Sequence, residues 1–159
     1  MHQSEYRDYS TEAVSELRQQ VKKLCASQRL CVLATEFDGQ PYSNLIAFAE
    51  ADELRSLIFV TNRKTRKYAN VLSNQKVAVM IDSRSGRVSD FTTALAVTAM
   101  GTVEEVTRVE RDRLASTYIS KHPYLAEFVN RPEQALMKVK VTDYVIARFD
   151  SVHVIRIRD

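Results

Sequence analysis

Between Thr11 and Gln28 the apolar residues Val14, Leu17, Val21 and Leu24 return at helical spacing while Glu, Arg, Gln and Lys fill the intervals. That pattern lines one face of an α-helix over residues 11–28. Ser10 or Thr11 serves as its cap, and Glu12 and Glu16 sit early in the segment, where negative charge suits the helix dipole. The pattern then changes. The stretch RLCVLATEFDGQPYSNLIAFAEADELRSLIFVT is rich in β-branched and aromatic residues and is broken by FDGQ and EADE, so it predicts three strands joined by two turns. Asp38-Gly39 is the stronger turn signal, because glycine accepts the positive φ that a tight hairpin requires.

Further along, Tyr68, Val71 and Leu72 fall at i, i+3 and i+4, predicting a short helix that begins near Thr65. KVAVMIDS reads as a buried strand, RSGRVSD as a polar loop, and FTTALAVTAMGTVEEV as one long strand that bends or bulges near Gly101. A helical region starts around Val109, keeps Leu114 and Tyr118 on one side, and ends at Pro123; YLAEFVN adds a turn or two before Pro132. ALMKVKVTDYVIARF and SVHVIRIRD return to strand character. The order is helix, three strands, helix, two strands, helix, two strands. It predicts a mainly β, α+β fold: an antiparallel barrel with peripheral helices rather than a parallel sheet wrapped by them.

Composition narrows the picture. With 159 residues, 45% apolar and 27% charged, residues 1–159 form one domain with a real core. The N-terminal MHQSEYRDYS lacks the apolar centre of a signal peptide, and runs such as VAVMI are too short to span a bilayer. We therefore expect a soluble, cytoplasmic protein with no membrane partner. Cys25 and Cys31 match neither a CxxC redox pair nor half of a zinc knuckle, and read as buried free thiols. His2, His122 and His153 are scattered, which gives no metal site. His153 alternates with Ile155 and Ile157, so it either faces a ligand or sits partly buried with a hydrogen-bond partner. A net charge of +3 argues against general nucleic-acid affinity, and few aromatics stand beside the basic residues to stack on RNA bases. No hydrolase, P-loop or dinucleotide fingerprint occurs.

Charge matters where it gathers, and it gathers in FVTNRKTRKYANVL, which places Arg63, Lys64, Arg66 and Lys67 at a strand-to-helix turn. Cations in the first turn oppose the helix dipole. Unpaired N–H groups at a helix start favour an anion, and Thr65, Arg66 and Lys67 would add a hydroxyl, a bidentate donor and a mobile charge to a phosphate site. The alternative is a solvated basic loop.

GQPYSNLIAF, LIFVTNRKTRKYANVLSNQKVAVMI and AVTAMGTVEEV, in that order, resemble the pyridoxamine 5′-phosphate oxidase-like flavoproteins, the FMN-binding split β-barrels, over roughly residues 30–106. The resemblance implies a homodimer with FMN in the grooves between subunits. It implies that Ser43, Asn44, Leu45 and Ile46 neighbour the flavin ring, that Val60 and Thr61 match the family's Tyr-Thr, and that Thr65, Arg66 and Lys67 match its Ser-Arg-Lys phosphate trio. Ala96 stands where the pyridoxamine phosphate oxidases use a Gln against FMN, and their C-terminal Arg and His motif is not visible. These departures set the chain apart from the true oxidases and leave the substrate open. The expected function is an FMN-dependent oxidoreductase acting on an unidentified small molecule. The alternative is a non-enzymatic carrier or sensor of a flavin, a deazaflavin or haem, with His153 or His122 as axial-ligand candidates.

Overall fold

The structure is a computed structural model, described over residues 10–157. The readings made on the N-terminal stretch with His2, and on the last two residues, lie outside the described residues. The first helix, α1 (Thr11–Ser27), is capped by the Ser10 hydroxyl, which accepts from the Ala13 amide at 3.2 Å. Three strands follow: β1 (Leu30–Phe37), β2 (Gln40–Ala51) and β3 (Ser56–Asn62). Asp38 (φ 51°) and Gly39 (φ 77°) make the tight turn between β1 and β2. The short helix α2 (Arg66–Ser73) leads to β4 (Lys76–Asp82), and a turn of helix, α3 (Asp90–Thr93), precedes β5 (Ala96–Glu105). After α4 (Arg108–Lys121), a 3-10 turn at Pro123–Leu125 and α5 (Ala126–Val129), the chain ends its described course in β6 (Gln134–Arg148) and β7 (Ser151–Arg156).

All pairings are antiparallel, in the order β3-β2-β1-β4-β5-β6-β7, and β3 also pairs with β6. The first six strands thus close a barrel, and β7 extends it beside β6. Closure hides the sheet edges that an open antiparallel sheet would expose. Inward residues of alternate strand positions, among them Leu33, Phe48, Phe59, Val79, Val97 and Val139, fill the barrel with the buried face of α1. A second apolar cluster, including Ile58, Val60, Leu136, Leu114 and Tyr118, seats α4 against the outside of β3 and β6.

Two local details stand out. Asp52, Glu53 and Leu54 all take positive φ (57°, 57° and 71°), a conformation that side chains other than glycine rarely adopt. The turn is held by its ties. Arg113 bonds Asp52 at 2.7 Å, Lys22 bonds Glu53, and the Glu50 carboxylate accepts from the Leu54 amide at 2.6 Å. The bulge expected near Gly101 is present, as a register shift between Met100 and Gly101 opposite β6.

One sequence expectation fails. Phe91–Thr93 do not extend β5 but form α3, and the strand begins at Ala96. The cause is local: the Asp90 carboxylate accepts from the Ser85, Gly86 and Arg87 amides, while the Thr92 and Thr93 hydroxyls donate to the Ser89 carbonyl. Side chains that bond nearby backbone offer the chain an alternative to the sheet.

Candidate functional site

The basic turn forms where β3 leaves the barrel. Thr61, at the inner end of β3, is buried, and its hydroxyl meets the Thr65 hydroxyl at 3.0 Å. Thr65 is the N-cap of α2. Its hydroxyl lies 2.8 Å from the Asn62 carbonyl, to which it donates, and accepts from the Tyr68 amide at 3.4 Å. The Asn62 side chain braces the turn by accepting from the Lys64 amide at 2.8 Å. The first intrahelical bond runs from the Ala69 amide to the Thr65 carbonyl. The Arg66 and Lys67 amides precede it, so they are the orphan donors of a helix start.

The four cations of this turn have different surroundings. Arg63 is committed to structure: it bonds the Glu105 carboxylate and donates to the Pro132 carbonyl at 2.8 Å. Tyr68 completes that cluster by donating to Glu105 at 2.9 Å. Burial pushes the Glu105 carboxyl up, but hydrogen bonds from Arg63 and Tyr68 and the Arg63 charge more than offset this, leaving it below the usual range. Lys64 is exposed. Arg66 lies over the Tyr42 ring, 4.7 Å from its centroid, which holds a solvent-facing guanidinium near β2. Lys67 is half-buried, and burial alone lowers its pKa from the ordinary 10.5. A lysine that gives up hydration without a carboxylate in exchange is suited to an anion arriving from outside.

On β2 the candidate residues split between two faces. Asn44 and Ile46 share the inward face with Tyr42 and Phe48, whereas Ser43 and Leu45 point outward, Leu45 with 63% of its surface exposed. Asn44 carries an orphan, for its buried Oδ1 has no donor among the described residues. A buried acceptor without a partner is costly, and a ligand donor would repay it. Val60 packs under α4 in the outer cluster and pairs with Leu136 of β6, so its side chain is taken up away from the basic turn. The structure therefore joins Thr61 with Thr65 and ties Arg66 to β2 through Tyr42. Tyr42 itself had not been singled out from the sequence, although it sits one residue before Ser43 and two before Asn44 on the same face. A buried link from Asn70 to Thr35, at 2.9 Å, fastens α2 to β1 and was equally silent in the sequence.

Neither histidine adds to this turn. His122 is buried against Tyr118, with Nε2 2.7 Å from the Phe48 carbonyl, and His153 lies half-buried on β7.

A family model described as pyridoxamine 5′-phosphate oxidase matches residues 17–145, most of the chain. The chain belongs to this family. No curated protein matches it. Among solved structures, a haem-binding protein from Mycobacterium smegmatis aligns with a TM-score of 0.79 at 13% identity, covering 93% of this chain and 59% of that one. The general stress protein 26 of Bacillus anthracis aligns at 0.69 and 20% identity, covering 89% and 99%. A FAD-binding protein from Mesorhizobium loti aligns at 0.62 and 16% identity, covering 87% and 94%. At these identities the likeness is one of fold, and it agrees with membership of the pyridoxamine 5′-phosphate oxidase family. The chain spans only about three fifths of the length of the mycobacterial protein.

Proposed function

We propose that the chain is an FMN-binding oxidoreductase of the split-barrel type, acting as a cytoplasmic homodimer on a small molecule. The observation that carries this reading is the turn at the start of α2. Thr65 stands at the cap, and among the described residues the Arg66 and Lys67 amides are unpaired and the half-buried Lys67 ammonium has no carboxylate beside it. These groups would hold the FMN phosphate. Binding requires one local change, because the Thr65 hydroxyl would turn its proton from the Asn62 carbonyl to a phosphate oxygen. Ser43 to Ile46 and Thr61 would flank the ring, with the orphan Asn44 Oδ1 accepting a donor from the cofactor. When bound, FMN supplies electron or hydride transfer, and this chain's residues hold and orient it.

The homodimer reading is supported by the outer face of the sheet. Leu45, Val32 and Met80 stand in one register row across β2, β1 and β4, apolar and partly or largely exposed. A second copy would bury that row and close the groove beside the ring-facing strand. The two free, buried cysteines suit a reducing compartment.

A second reading is a carrier or sensor without turnover, binding a flavin or haem, and it draws on the haem-binding and FAD-binding names of the structural neighbours. His122 is already spent on the Phe48 carbonyl, which weighs against an axial role for it. The test is an absorption spectrum of the purified protein, with mass analysis of the molecule that heat releases, repeated on Arg66→Ala/Lys67→Ala. Oxidised flavin bands and FMN in the wild type, absent from a folded double mutant, are expected. Stoichiometric FMN in the double mutant would overturn the phosphate assignment. A Soret band would give haem the first place.

A further inference from the structure

Arg66 and Asn70 lie one helical turn apart on one face of α2, and each reaches a residue of the barrel wall. The Asn70 side-chain amide donates to the Thr35 hydroxyl at 2.9 Å, and both residues are buried. Arg66 places its guanidinium carbon 4.7 Å from the centre of the Tyr42 ring. Thr35 and Tyr42 face each other in the β1–β2 ladder. Two contacts one turn apart thus land on one cross-strand pair, which fixes where α2 sits along β2. The pairing of β2 with β3 covers only residues 48–51 of β2, so Tyr42 stands on the part of the strand that has left β3, beside the start of α2.

The ring contact leaves Arg66 available to an anion. A ring face attracts a cation through its quadrupole, without occupying the cation's N–H donors. Among the described residues, no carboxylate or carbonyl accepts from the Arg66 guanidinium, and its donors stay uncommitted. Arg63 is the contrast, since its donors are taken by Glu105 and the Pro132 carbonyl. An exposed arginine side chain ordinarily samples many rotamers, and ordering it on binding subtracts from affinity. The Tyr42 ring restricts that freedom before a ligand arrives.

We propose that Tyr42 is a positioning residue of the phosphate site: its ring holds Arg66 in place with its donors uncommitted, and so sets the preference for a phosphorylated flavin over an unphosphorylated one. This inference rests on the reading of the basic turn as the FMN phosphate site. It adds to that reading a residue that acts on the phosphate only through Arg66. The Tyr42 hydroxyl has no part in the contact, so phenylalanine should serve as well.

The experiment measures FMN and riboflavin affinities of the full chain by flavin fluorescence quenching, in the wild type, Tyr42→Phe, Tyr42→Leu, Arg66→Ala and the double variant Tyr42→Leu/Arg66→Ala. Wild type and Tyr42→Phe are expected to share one preference for FMN. Tyr42→Leu, checked for a native circular dichroism spectrum, should cut that preference about two- to fivefold, as the loss of an exposed cation–π contact implies, and leave riboflavin affinity as it was. Added to Arg66→Ala, it should change nothing further. A second readout needs no leucine variant. In the flavin-free wild type the Arg66 δ protons, assigned through Arg66→Ala, should resonate upfield under the ring current and stay there when FMN is added. The inference is overturned, with the phosphate reading intact, if the preference survives Tyr42→Leu, falls in Tyr42→Phe, or drops again when Tyr42→Leu joins Arg66→Ala. A missing upfield shift overturns it as well. A wild type that binds FMN no better than riboflavin overturns this inference and the phosphate reading together.

Discussion

Arg63 and Lys67 are four residues apart in one basic turn, and their surroundings predict opposite consequences of losing them. Arg63→Ala removes the bond to Glu105 and the 2.8 Å bond to the Pro132 carbonyl, but keeps the backbone bond from residue 63 to Glu133. The pair with Glu105 is more than a third exposed on each side, so water screens it and its worth is well below that of a buried pair. With the carbonyl bond added, the loss should be about 1 kcal/mol, or about 2–4 °C in melting temperature for a chain of this size. FMN affinity should hardly move. Lys67→Met reverses the pattern. Burial lowers the Lys67 pKa, so the folded state holds its charged form less willingly than the unfolded chain does. That penalty applies below the ordinary value of 10.5 and vanishes as pH rises through it. A methionine of similar length carries no such penalty, and the flavin-free protein should be as stable as wild type or more so. A charge-assisted bond to phosphate is worth about 1.5–3 kcal/mol, so FMN should bind about 10- to 100-fold more weakly. In the wild type the same affinity should fall as pH rises through the lowered Lys67 value. Quenching of FMN fluorescence gives the dissociation constants, and thermal melts of the flavin-free variants give the stabilities. If Arg63→Ala releases flavin as readily as Lys67→Met, or if Lys67→Met keeps its affinity within about threefold, the division of roles is wrong.

Two further outcomes test the scaffold. A Cβ on Gly101 would sit 2.0 Å from the Lys140 carbonyl oxygen and 2.8 Å from its carbon, both backbone atoms of the neighbouring strand. Gly101→Ala must therefore push β6 away at the bulge, and should cost about 3 kcal/mol in a denaturant titration; a loss under about 1 kcal/mol would show the bulge to be pliant. The Asp90 carboxyl is held below its ordinary 3.8 by the Ser85 hydroxyl and the loop amides. Its ordering of the 85–87 loop should be complete above that value and lost as pH falls through the lower, folded-state value, read as amide shifts of Ser85, Gly86 and Arg87 that titrate below 3.8. Asp90→Asn should abolish that transition, and a midpoint above 3.8 would refute it.

The barrel was legible because its signals are local and repeated. Alternation in β1 and β4, the Asp38-Gly39 turn, and the helical spacing of Leu17, Val21 and Leu24 each report a buried face without knowledge of its partner. Gly101 was legible for the same reason, since a glycine within a strand marks a close approach of backbone. The misread strand start at Phe91 shows the limit. FTT has strand composition, and only side chains bonding nearby backbone, the Asp90 carboxylate and the Thr92 and Thr93 hydroxyls, decide otherwise. At the site, the cap at Thr65 and the cations after it stood in one short segment and could be read together. What could not be read is which cation is already taken. Glu105 lies 42 residues beyond Arg63 and meets it only because β5 and β3 both pair with β6. The Arg66–Tyr42 contact likewise depends on α2 folding back beside β2. Charge runs announce themselves in a sequence, whereas their neutralisation is a property of the fold.

That distinction bears on the proposal that the same turn serves both the barrel and a phosphate. Groups proposed to face a phosphate are worth most if they stay in place without it, because ordering them on binding would subtract from affinity. Here the ordering is supplied by residues with no role toward the anion. Arg63 clips the turn to β5 and to the segment before β6, Asn70 pins α2 to Thr35 inside β1, and Thr61 meets the capping hydroxyl from within the barrel. All but the Arg63–Pro132 bond end on a strand of the closed barrel, so moving the turn would mean disturbing a ladder. The groups left over, the two unpaired amides, the Lys67 ammonium and the orphan Asn44 oxygen, are those that the fold does not satisfy by itself. A protein that fastens everything around such groups while leaving them unpaired pays for it in stability. If the turn holds a phosphate as proposed, the return is a binding site already in the shape its ligand needs.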